Sequence, residues 1–265
     1  MISEITSEKD IDKAFLAPCH YGRKMLSCLK GYGIRYQFCR FFQLKEAGKT
    51  AYLMLQNSTL LISSQDDFSG CEAAHEELSL FIAMHAPFRV EGAQSLLLHL
   101  RMDGYHMLKR SIFGLKPRHV SPVFDYSQID IAPALDDVYQ ILSEGFPNLI
   151  AYDLWLTETS HMVRHGLRHC FTYFGVTVAT AVYDIDNHVL VGQVATKTAA
   201  RGKGYARDFL HWIAGDLIRQ GKDAILYALD IRASFYQEIG FPLLATEQVW
   251  ERMDAETHAK QKEAL

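Results

Sequence analysis

The spacing of apolar positions changes several times along the chain, and each change predicts an element. Mixed polar and apolar positions over Ile11 to Leu29, interrupted by Pro18, suit helix. Runs rich in β-branched and aromatic residues follow at Ile34 to Leu44, Ala51 to Gln56 and Thr59 to Ser63. Glu46-Ala47-Gly48-Lys49 suits a hairpin loop and Gln56-Asn57-Ser58 a tight turn, so the three runs read as an antiparallel meander. Leu78, Phe81, Ile82 and His85 then fall at i, i+3, i+4 and i+7, one face of a helix that Pro87 ends. A strand at Phe88 to Val90, a helix at Ala93 to Leu100 and one more strand within Arg101 to Phe113 complete a β/α pattern.

Pro117, Pro122 and Pro133 come next, among polar residues. Proline fixes φ and removes a donor, so this stretch predicts irregular chain, and we place a domain boundary near residue 123. Beyond it, Leu135 to Leu142 and Asp153 to Leu167 read as helices. Phe171 to Tyr183 reads as one long strand, Asp184 to Asn187 as a turn and His188 to Thr196 as its hairpin partner. Ala206, Phe209, Leu210, Ile213 and Leu217 give period 3.6 to a helix over Lys203 to Gln220, with Gly221 at its C-terminal cap. A strand at Ala224 to Ala228, a helix at Arg232 to Ile239 stopped by Gly240, and a strand at Leu243 to Trp250 follow. The polar tail, Glu251 to Leu265, predicts a frayed or surface helix. Both halves repeat a strands-then-helix rhythm, which suggests a duplication although the residues do not align. The fold class expected is α/β (α+β) in two units, 1–123 and 124–265.

Composition narrows the function classes. At 265 residues, 49% hydrophobic and 22% charged, the chain can bury a core without staples, which excludes disorder, collagen-like repeats and a disulfide scaffold. A net charge of −4 supplies no basic field for nucleic acid, so no nucleic-acid partner is expected. Five scattered cysteines without C-x-x-C predict reduced thiols. No apolar run approaches the ~18–20 residues of a membrane span, and Met1 to Asp10 is polar and acidic, unlike a secretory signal. A cytoplasmic protein without a membrane partner is expected.

One segment carries chemistry: Val194-Ala195-Thr196-Lys197-Thr198-Ala199-Ala200-Arg201-Gly202-Lys203-Gly204-Tyr205-Ala206-Arg207. It joins a strong strand to a strong helix, where successive backbone N–H groups make an anion site. Gly202 and Gly204 remove side chains where a phosphate must approach. Arg201, Lys203 and Arg207 place positive charge where a helix N-terminus disfavours it, a conflict that a bound diphosphate resolves. G-x-x-x-x-G-K-[ST] is absent because Gly204 follows Lys203, and G-x-G-x-x-G fails because Arg207 stands where the last glycine is needed. A plain turn-forming loop is the alternative.

Arg201-x-x-Gly204-x-Ala206 after Val194-Ala195-Thr196 resembles the acyl-CoA motif (Q/R-x-x-G-x-G/A) of the GNAT N-acetyltransferase superfamily. Tyr236-Gln237-Glu238-Ile239-Gly240-Phe241 resembles its second signature, Y-x-x-x-G-F. The resemblance covers roughly residues 126–250. It implies a mixed, mostly antiparallel sheet flanked by helices in the C-terminal unit, and acetyl transfer from acetyl-CoA to an amine by direct attack. It implies that the backbone of Val194, Ala195 and Thr196 pairs with the pantetheine arm, that an amide near Val194 polarises the thioester carbonyl, and that N–H groups of Gly202, Lys203, Gly204, Tyr205, Ala206 and Arg207, with Arg201, hold the diphosphate. Tyr236 is implied as the acid that protonates the departing thiolate; the alternative for it is a core aromatic. The run from Asp230 to Tyr236 is shorter than in many members, so no cofactor contact is carried over to Asp230 or Arg232. The N-terminal unit lacks the R-x-x-G-x-G/A loop; a degenerate GNAT-like half that does not bind CoA is expected.

The partner implied is a small-molecule or peptide amine, with a homodimer left open. A non-catalytic CoA-binding or regulatory module is the alternative function, and an adaptor a third. Glu158, Asp153 and His161 are candidate bases for the amine, none singled out by spacing. His161, His165 and His169 recur every fourth residue, but Arg164 and Arg168 between them oppose a cation and no H-E-x-x-H is formed, so no metal is expected. Asp184-x-Asp186-Asn187 lacks the remainder of a calcium loop. Ser27-x-x-Lys30 and the Cys19-His20 pair lack the partners that would make them sites, and the aromatics of Tyr32 to Phe42, alternating with Arg35 and Arg40, read as strand core packing rather than a base-stacking platform.

Overall fold

A computed structural model describes residues 1–100, 102–118, 120–146 and 148–253. The chain forms two compact units: Met1–Arg110 with the segment from Thr246 onward, and Ser111–Ala245.

The first unit contains β1 (Ile2–Glu4), α1 (Lys13–Leu16), α2 (His20–Tyr32), β2 (Cys39–Glu46), β3 (Lys49–Gln56), β4 (Thr59–Ser63), α3 (Glu72–His85), β5 (Arg89–Gly92), α4 (Gln94–Leu97) and the start of β6 (Tyr105–Gly114). Strands β1 to β4 pair antiparallel in sequence order; α3 then crosses over so that β5 lies parallel to β4. Phe42, Leu53, Leu60 and Ile62 of the sheet bury against Phe68 and against Leu78 and Phe81 of α3. The strand expected from Ile34 begins only at Cys39. Gly33 closes α2 at φ 65, and Tyr36 and Phe38 turn their rings onto Tyr32, at 6.2 and 5.0 Å. Those aromatics cap a helix instead of extending a strand. The helix expected over Ala93 to Leu100 is the single turn α4.

The second unit receives the end of β6 and continues with β7 (Ile129–Asp130), α5 (Leu135–Gly145), α6 (Tyr152–Arg164), β8 (His169–Tyr173), β9 (Thr177–Ile185), β10 (His188–Thr196), α7 (Tyr205–Arg219), β11 (Asp223–Leu229), α8 (Asp230–Glu238) and the start of β12 (Leu243–Arg252). Strands β7 to β10 pair antiparallel in sequence order, and α7 crosses over to place β11 parallel to β10. The two units therefore repeat one topology. Each is a mixed α/β unit with a mostly antiparallel sheet. Phe113, Ala179, Val191, Phe209, Leu226 and Tyr236 form the core on the α7 and α8 side. Val138, Ile141, Trp155, Val178 and Ala195 form it on the α5 and α6 side.

The single strand expected over Phe171 to Tyr183 is two, β8 and β9. Phe174 and Gly175 turn the chain at φ 54 and 59. A bulky aromatic is a poor turn signal; here the Phe174 ring stacks on Tyr205 at 5.4 Å, which offsets the left-handed backbone. The next turn is conventional: Asp186 and Asn187, at φ 49 and 61, suit a two-residue hairpin.

The compact-unit limit at Arg110 precedes the proline-rich stretch, and Thr246 onward returns to the first unit, where Trp250 pairs with Val90. This return brings Glu247 to His20 (3.0 Å) and to Tyr21 (2.5 Å) of α2, and to Arg110 of β6 (3.1 Å). Arg110 also pairs with buried Glu91, which takes Lys24 at 2.7 Å. Among the described residues no helix is long and apolar enough to cross a membrane. The expected tail helix falls mostly on 254–265, outside the described residues.

Candidate functional site

Parallel pairing of β10 with β11 ends at Val191–Leu226, although β10 runs on to Thr196 and β11 to Leu229. A register shift between Gly192 and Ala195, with Gln193 at φ 49, bends β10 as it leaves its neighbour. Beside the part of β10 that has left β11, a cleft of about 710 Å³ opens in the second unit. All of Val194, Ala195, Thr196, Arg201, Gly202, Lys203, Gly204, Tyr205, Ala206 and Arg207 line it.

Backbone geometry explains the two glycines. Gly202 and Gly204 both have φ 78, which a side chain disfavours. A Cβ at Gly202 would meet nothing within 4 Å, and one at Gly204 only the Arg207 guanidinium at 3.7 Å. The space they leave faces the cleft. Gly204 is also the N-cap of α7 and offers no side-chain acceptor, so the free N–H groups of the first turn lie in the cleft wall. Arg207 pairs with Asp208 at 3.1 Å. Arg201 donates to the carbonyls of Thr196 and Glu144, each at 3.1 Å.

The rest of the lining contains residues that the motif did not mark. Phe235, Glu238 and Ile239 of α8, with Glu144 and Gly145 at the end of α5, line the cleft. The Glu144 carboxylate accepts the Thr198 N–H at 2.7 Å, which holds it below the usual carboxylate range. Arg232, to which the motif assigned no contact, also lines the cleft and donates to the Gly145 carbonyl at 3.0 Å. A glycine ending a helix reads as a cap, so only the close fit to β10 reveals the second role of Gly145.

Tyr236 lies in the core of the second unit, 5% exposed, its ring 5.6 Å from Phe113. It is not among the cleft-lining residues, whereas its neighbour Phe235 is. Burial pushes its phenol up to about 12, offset in part by the nearby Arg232 cation. His211 anchors the end of α8. The Arg118 N–H can only donate, so Nδ1 accepts it (3.1 Å) and Nε2–H donates to the Ile239 carbonyl (3.0 Å).

The other candidates lie elsewhere. Glu158 pairs with Arg168 at 3.0 Å. His161 and His165 share the end of α6, but His169 is on β8, 3.3 Å from Asp184. His20 pairs with Glu247. Among the described residues no three His, Cys, Asp or Glu side chains gather as a metal-binding group.

Solved structures with this architecture decide the fold. A GNAT-family acetyltransferase from Colwellia psychrerythraea superposes with TM-score 0.56 at 16% identity, over 96% of this chain and 100% of that one. The fold is that of the GCN5-related N-acetyltransferases. A GNAT protein from Kribbella flavida gives TM-score 0.55 at 12% identity, covering 89% of this chain and 97% of its own. One from Sphaerobacter thermophilus gives 0.52 at 16%, covering 78% and 81%. No protein-family model and no curated protein matches the chain. In the GNAT fold of this chain, the parting of β10 from β11 and the loop before α7 form one continuous cleft.

Proposed function

We propose that this protein is an acyl-CoA-dependent N-acyltransferase that moves acetyl from acetyl-CoA to a primary amine, a small molecule or a peptide. The observation that carries the reading is the cleft itself: a strand edge left unpaired beyond Val191 runs into a left-handed glycine loop at a helix N-terminus. The residues present fit the cofactor. An unpaired β10 edge suits the amides of the pantetheine arm. Open space at Gly202 and Gly204, free N–H groups and the cations of the loop suit a diphosphate.

Acetyl-CoA supplies an activated thioester. The protein supplies position and polarisation. Val194, Ala195 and Thr196 hold the arm along the strand, and an amide near Val194 polarises the thioester carbonyl. Gly202 to Arg207, with Arg201, hold the diphosphate. The amine, with an ordinary pKa of ~10.4, loses a proton to water before its nitrogen bonds the carbonyl carbon, and its second proton leaves through water as the C–S bond breaks. Tyr236, whose phenol burial pushes up to about 12, keeps its proton at neutral pH and is our proposed donor to the departing sulfur. Glu158, held by Arg168, is not assigned as base.

The second reading is a CoA-binding module without turnover, and the placement of Tyr236 outside the cleft lining favours it. A melting assay with acetyl-CoA and a thiol-release assay over an amine panel separate the two. Stabilisation with release supports the enzyme. Stabilisation without release supports the module. No stabilisation contradicts both.

A further inference from the structure

The side chain of Arg232 crosses the cleft. It starts on α8, whose Ala233 and Tyr236 belong to the core on one side of the sheet. It ends on the carbonyl of Gly145, the last residue of α5, on the other side. The two ends meet beyond Val191 and Leu226, where β10 and β11 have stopped pairing. The crossing point is known along the strand. Gly145 lies against Ala195, since a Cβ on Gly145 would stand 2.7 Å from that of Ala195. The guanidinium, bonded to Gly145, is therefore level with the middle of the free β10 edge. It also lies 5.1 Å from the Phe146 ring. Among the described residues no carboxylate pairs with it.

We propose that Arg232 is a latch that sets cofactor affinity: in the free protein it spans the gap that an arm pairing with Val194 to Thr196 must enter, and it swings aside when the cofactor binds. The idea rests on the acyl-CoA reading above. The latch is built to open. Among the described residues its hydrogen bond is to a helix C-terminal carbonyl, which water satisfies when the arginine leaves. Arg232 is exposed on the first turns of α8, so the guanidinium has solvent to move into.

The proposal reverses the ordinary expectation. Removing a cation from the site of an anionic ligand weakens binding by lost Coulomb attraction. Removing a latch strengthens binding, because apparent affinity is reduced by the fraction of protein that is competent. A latch open about one-tenth of the time predicts a roughly tenfold effect.

The test measures acetyl-CoA binding to wild type, Arg232→Ala and Arg232→Met by titration calorimetry and stopped-flow association, with thermal melts to show that each is folded. Methionine keeps most of the length but cannot bond Gly145, so it isolates the latch from side-chain bulk. The expected result is a dissociation constant about tenfold lower and association about tenfold faster in both variants. Wild type that binds, with variants that bind equally or more weakly, overturns the latch and leaves the cleft reading intact. No binding by any of the three overturns the acyl-CoA reading, and the latch with it.

Discussion

Gly145 packs against Ala195 with no room for another carbon: a Cβ built on Gly145 would lie 2.7 Å from the Ala195 Cβ. This contact seats the end of α5 on the free part of β10 and fixes one wall of the cleft. Gly145→Ala must push α5 away from β10, at a cost of about 1–3 kcal/mol for such overpacking. A lower thermal midpoint, with acetyl-CoA affinity reduced as the wall moves, is the expected outcome. An unchanged midpoint would show that the contact is loose.

Tyr236→Phe removes only a hydroxyl from the core of the second unit. If that hydroxyl protonates the leaving sulfur, turnover falls by about 10²-fold while the dissociation constant for acetyl-CoA stays within twofold. Because burial pushes the phenol up to about 12, its ionisation puts no alkaline limb on turnover near neutral pH. Steady-state rates of both proteins from pH 7 to 9 check this. Equal turnover would return Tyr236 to a purely structural role.

His211 makes the stability of the second unit acid-sensitive. Burial holds its pKa below the ordinary histidine value, so the neutral ring is the one that bonds Arg118 and Ile239. Above the ordinary value of ~6.5 the ring is neutral whether folded or unfolded, and its contribution is complete. As pH falls below that value the unfolded chain binds the proton first, and stability declines through the folded pKa. Melts between pH 8 and pH 5 should show this decline, and His211→Phe should flatten it. A slope unchanged by the substitution would assign the decline to another group.

Much of this fold is legible from periodicity. The strand at Thr59 to Ser63, the hairpin at Asp186-Asn187 and the apolar face of α7 follow from residue spacing, because each side chain does what its local chemistry favours. The departures arise where distant residues decide. Phe174 turns the chain because Tyr205 receives its ring. Tyr36 and Phe38 leave the strand because Tyr32 gathers them. The loop half of the candidate site is contiguous in sequence and was visible. Gly145 and Arg232, 87 residues apart, meet across a gap that no local pattern encodes.

In the first unit, Glu91 is buried between Lys24 and Arg110. Burial alone would raise its pKa, but the two cations outweigh that and hold the carboxyl well below the usual carboxylate range. Its contribution is complete above that range and is lost progressively as pH falls from the ordinary carboxylate value towards the lowered folded one, because the unfolded chain binds the proton first. Glu91→Ala leaves Arg110 without that partner inside the unit, a loss of about 3–5 kcal/mol. Denaturant unfolding should show the shift; a change below about 1 kcal/mol would mean that Arg110 is satisfied without Glu91, by partners that include Glu247 and the Tyr21 hydroxyl.

The glycine loop carries the central claim, and titration of acetyl-CoA into wild type and Gly204→Glu tests it most directly. At φ 78 and facing open cleft, position 204 would place a carboxylate where the diphosphate is expected. The account predicts saturable one-to-one binding by wild type and none by the variant, with the variant still folded. Absence of binding by wild type, or undiminished binding by Gly204→Glu, would contradict it.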